Sequence, residues 1–79
     1  MLDWSSKILD NENFSRADLS GIDLSWADVR NADLRKVNLK NANLFMADLT
    51  GTDLRGADLR GADITGANFK NAKVDNVKW

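Results

Sequence analysis

The sequence predicts an all-β solenoid, and three observations predict it. A period of five residues runs through the chain, apolar side chains keep to two of the five positions, and Gly or Asn gathers at a third. The period is plainest from Gly56 to Phe69, which reads GADLRGADITGANF. On an α-helix, at about 100° per residue, positions five apart fall about 140° out of line, so Leu54, Leu59 and Ile64 would spiral round the surface. In a straight strand the side-chain period is two, and an odd repeat would send alternate leucines to opposite sides. The pattern is buried only if the chain turns at every repeat. Each pentapeptide then supplies a short extended piece and a corner, with Ala57 and Leu59 pointing in and Asp58 pointing out. Such coils stack at about 4.8 Å, like neighbouring strands.

The corners carry the matching turn chemistry. Two residues past each central apolar position stands Gly at 21, 51, 56, 61 and 66, and Asn at 11, 31, 41, 71 and 76. A type II turn needs positive φ at its third residue, which Gly and Asn reach at least steric cost. Trp26, Lys36 and Met46 hold the same slot without that freedom, so another turn type is expected at those corners.

Tandem Ala-Asp/Asn-Leu-x-x, in register from Ala17 to Val77, resembles the pentapeptide-repeat family. The resemblance implies a right-handed quadrilateral parallel β-helix, here of about four coils, and it supplies the hand and the number of sides that spacing alone does not. Residues 14–79 are assigned to this β-helix. Residues 1–13 fit the register poorly, because it would turn Lys7 and Glu12 inward and Ile8 outward. They are expected to form a cap, with a short helical turn from Ser5 or Ser6 to Asn11 laying Leu2, Ile8 and Leu9 over the open core. The competing expectation is an irregular first coil in which Leu2-Asp3-Trp4 matches the motif.

Central positions run from Phe14 through Leu19, Leu24 and Val29 to Trp79, and the position two before is mostly Ala. Each central side chain contributes about 1.5–3 kcal/mol of burial, offset by chain entropy. At 79 residues the chain is one domain, in which a stack of coils evades part of the surface penalty of a small core.

Composition narrows the function. Eleven basic and twelve acidic residues give a net charge of −1, so a nucleic-acid partner is not expected. The chain contains no Cys and no His, which removes thiolate chemistry, the usual zinc ligands and the commonest general base. No apolar run reaches a membrane span, no secretory pattern opens the chain, and a cytoplasmic location is the expectation. Stacked acids such as Asp28 and Asp48, or Asp33 and Asp53, follow from the repeat itself and are not read as catalytic or metal-binding. Arg30, Arg35, Lys40, Arg55, Arg60 and Lys70 stand where they neutralise those columns. No catalytic, cofactor or metal residue is assigned, and neither an enzyme, a cofactor nor a small-molecule substrate is expected.

Two places stand out. Trp26 and Met46 fall on one corner, with Phe45 beside them, and form either a packed corner or a patch that binds a protein. At the other end, Val77 and Trp79 are the candidate contact of an end-to-end homodimer, the alternative being a monomer whose sheet edge is guarded by Lys73 and Lys78. The expected role is a non-catalytic structural or protein-interaction module. The resemblance also implies an alternative, a DNA mimic acting on DNA gyrase, as in quinolone-resistance members of the family. That role asks for a long, strongly acidic rod, which this balance of charge does not supply.

Overall fold

The computed structural model describes residues 2–79. Each pentapeptide makes one side of a square, and four sides make a coil of twenty residues. Parallel bridges join residues twenty apart, from Asp3 to Asp23 through Asp58 to Lys78. The architecture is the right-handed quadrilateral parallel β-helix. Its first face comprises residues 2–6, 22–26, 42–46 and 62–66, and its second 7–11, 27–31, 47–51 and 67–71. The third comprises 12–16, 32–36, 52–56 and 72–76, and the fourth 17–21, 37–41, 57–61 and 77–79.

Coils are held by backbone bonds of two kinds. Central and corner amides donate to the following coil, as Leu24 N–H does to Asn43 O at 2.8 Å and Trp26 N–H to Phe45 O at 2.8 Å. Outward-residue amides donate to the preceding coil, as Asn43 N–H does to Ile22 O at 2.9 Å. Each corner closes with a bond such as Ala27 N–H to Leu24 O, 3.1 Å. Inside, Leu34, Leu39, Leu44, Leu49 and Leu54 stack in columns and are wholly buried, and the small side chains of Ala27, Ala32, Ala42, Ala47 and Ala57 fill the space beside them. One polar side chain joins this core: Thr52, whose hydroxyl donates to Leu49 O at 2.9 Å and so enters without an orphaned group.

Two expectations are corrected. There is no helix over residues 5–11, because the bridge-and-turn pattern already begins at Asp3 and places Ile8 in a bridge with Asp28. Leu2, Ile8 and Leu9 therefore do not form a helical lid. The charge burial that argued against the register does not arise in this coil, since its inward positions are covered from one side only and Lys7 and Glu12 stay exposed, while the exposure of Ile8 does. Trp4 and Phe14 close that end instead, their rings 5.5 Å apart across the opening.

The second correction concerns the corners. Trp26, Lys36 and Met46 adopt φ of +61°, +56° and +57°, like Asn31 at +59° and Gly51 at +72°. The residue before each is outside the positive-φ set, so every corner shows the φ signs of a type II turn. The ladder is the reason. Trp26, Lys36 and Met46 amides all donate to the coil that follows, at 2.8–3.0 Å, and a different turn would forfeit those bonds.

Candidate protein-interaction site

The outward Asp or Asn of a repeat does more than face water. Its side-chain oxygen accepts the amide two residues on, so Asp23 Oδ1 receives Ser25 N–H at 3.0 Å and Asn43 Oδ1 receives Phe45 N–H at 3.0 Å. These are Asx turns, which fix the approach to the corner in every repeat but those of Ile8, Lys73 and Lys78. The alternation of Asp and Asn, and almost nothing else, at that position was the available sign: both carry the one oxygen the turn needs.

Where Arg follows, it forks back onto the acid of its own repeat. Arg55 places Nε on Asp53 Oδ1 at 2.8 Å, with Nη2 on Asp53 Oδ2, and Arg30, Arg35 and Arg60 repeat the fork on Asp28, Asp33 and Asp58. Neutralisation thus runs mostly within a repeat, not between coils; Arg30 alone also reaches the next acid, Asp48, at 4.0 Å. Hydrogen bonds from Arg55 and Arg60 hold the Asp53 and Asp58 carboxyls at about 2, well below the ordinary carboxylate value. Among the described residues no acid cluster is arranged to hold a metal ion.

The first corner, between the first and second faces, is different. Trp26 is 59% exposed, Met46 40% and Phe45 37%, and the Trp26 ring meets Phe45 edge to face with centroids 5.9 Å apart. Met46 leans over the next coil, where its sulfur lies against Gly66 so closely that a Cβ on that glycine would collide with it. Sequence reading singled out these three and passed over another exposed apolar side chain near the same corner. Ile8, 77% exposed, stands one coil before Asp28 and two residues past the same corner. It escaped notice because a helical cap would have turned it toward the core.

At the opposite end the structure groups Trp79 with Phe69, edge to face at 5.8 Å, and leaves Ile64, Val74 and Trp79 exposed. Val77 is half-buried beside the core. No helix among the described residues is long and apolar enough to cross a membrane.

The family model for pentapeptide repeats matches residues 13–45 and 42–78. Among solved structures, a pentapeptide repeat protein from Nostoc Pcc 7120 aligns at 40% identity with a TM-score of 0.93, over 95% of this chain and 62% of that one. A pentapeptide repeat protein of the Arabidopsis thaliana thylakoid lumen aligns at 37% identity with a TM-score of 0.90, over 92% of this chain and 50% of that one. This chain therefore spans half to three fifths of the length of either neighbour. No curated protein matches it.

Proposed function

The chain belongs to the pentapeptide-repeat family, and from that premise we propose that it is a non-catalytic module that binds another protein through the corner formed by Trp26, Phe45 and Met46. One observation carries the reading: three large apolar side chains stay exposed on a corner whose backbone the ladder holds rigid. Such anchors lose little freedom on docking, and Trp is among the residues that dominate interface energies. The filled interior offers no room for a substrate, which favours a surface role.

Affinity capture from a lysate of the source cells tests this, comparing the native chain with a Trp26→Asn, Phe45→Ser variant. Asn suits the corner conformation, so the variant should stay folded. A protein retained by the native chain and lost by the variant supports the reading; identical eluates overturn it.

A DNA mimic acting on gyrase ranks second. It asks for unpaired acids along a rod, whereas Asp28, Asp33, Asp53 and Asp58 carry Arg partners and the stack measures 26 × 21 × 20 Å. Val77 and Trp79 remain the proposed contact of an end-to-end homodimer against the monomer, and sedimentation over a concentration series separates the two.

A further inference from the structure

We propose that the partner's docking element is a cationic, apolar-anchored polypeptide segment, which lies on the first face with its apolar side chains over the Trp26 corner; this rests on the corner being a binding site. The argument is the distribution of charge. The first face holds three carboxylates, Asp3, Asp23 and Asp63, and no Lys or Arg among its described residues. The third face, opposite, carries both signs, with Arg16, Arg35, Lys36, Arg55 and Lys73 against Glu12, Asp33, Asp53 and Asp75. A net charge of −1 over the whole chain hides the imbalance of the first face.

The carboxylates of the first face are also left open where the four acids followed by Arg are not. Asp28, Asp33, Asp53 and Asp58 use Oδ1 for the Asx turn and for the Arg Nε, and give Oδ2 to Nη2 of the same Arg. On the first face the following residues are Ser5, Ser25, Phe45 and Thr65. Asp3, Asp23 and Asp63 therefore spend Oδ1 on a local amide and take no bond at Oδ2. Three acceptors stand in one column, at multiples of the coil spacing of about 4.8 Å. Beside them runs the strip of Phe45, Met46, Trp26 and Ile8, exposed along its length. A segment that carries Lys or Arg next to aliphatic or aromatic residues satisfies both halves at once. An acidic segment meets only the apolar half and is repelled by the rest, and a neutral one gains nothing from the carboxylates.

The repeat supplies a clean test. Asn43 already occupies the column and makes the same turn as its Asp neighbours, so Asp23→Asn and Asp63→Asn remove charge and keep the cap. A random peptide library displayed on phage is panned against the intact chain, and the enriched peptides are measured by fluorescence anisotropy at low and high salt. Expected are peptides rich in Lys and Arg beside apolar residues, weakened by roughly tenfold or more in the Asp23→Asn, Asp63→Asn variant and by added salt. Trp26→Asn should abolish their binding, with thermal unfolding showing both variants folded. Peptides that need Trp26 but ignore both Asp changes and salt overturn the cationic partner and leave the apolar corner standing. Peptides indifferent to all three substitutions overturn both. Self-association of the chain that the Asp changes abolish would make the occupant a second copy, and would equally overturn the proposal.

Discussion

At a corner, one residue answers to two constraints at once. Positive φ costs an ordinary L-residue about 1–2 kcal/mol, yet Ser6, Arg16, Trp26, Lys36 and Met46 all accept it. Gly and Asn at the other corners were legible in the sequence because their conformational preference is local. The five exceptions were not, because the force that holds them comes from a coil twenty residues away. Replacing Lys36 by Asn, the residue found at the neighbouring corners 31 and 41, is expected to raise stability by about 0.5 kcal/mol in urea unfolding. The second constraint is space. A Cβ on Gly61 would collide with Asn41 Oδ1, and the φ of Gly61 is +75°. Gly61→Ala is therefore expected to cost about 1–3 kcal/mol, and Asn41→Gly in the same chain to restore part of it.

On the scale of one side of the square, the sequence showed which side chains enter the core but not how the outward acid is used. Leu49 is wholly buried, and Leu49→Ala should lose about 2–5 kcal/mol. The reading of Asp53 as a residue that merely faces water would make Asp53→Ala and Asp53→Asn equivalent. The Asx turn makes them different: Ala loses the bond to Arg55 N–H and should cost about 1 kcal/mol, while Asn keeps it and loses only the exposed Arg fork. Chemical denaturation of the pair decides between the two accounts. The same acids set the response to pH. Asp53 and Asp58 are held at about 2 from an ordinary 3.8, so their contribution is complete above the ordinary value and is lost as pH falls toward 2. The melting temperature should be level at neutral pH and drop between these two values. The failed expectation of a helix over residues 5–11 belongs here too, since a penalty for burying Lys7 and Glu12 applies only to a side with coils above and below.

The whole stack is stabilised from its middle outward. Leu44 and Leu49 amides are bonded to the next coil, whereas Ile64, Phe69 and Val74 amides find no backbone acceptor among the described residues. Hydrogen exchange should follow that gradient, slow at Leu44 and Leu49 and fast at Ile64 and Val74. The unbalanced charge of the first face exists only at this scale. Read along the chain, acids and bases alternate and cancel; sorted by face, the first holds three acids and no base while each of the others holds both signs, and a linear reading has no means of performing the sort. The twenty-residue coil then governs which changes of length the surface tolerates. Adding a whole coil between Trp26 and Met46 would leave every later side chain on its own face. A deletion of five residues there, such as 32–36, would keep each leucine inward and the stack intact while rotating everything after it by a quarter turn. Met46 would then leave the corner it shares with Trp26, and a chain as well folded as before would present a different surface.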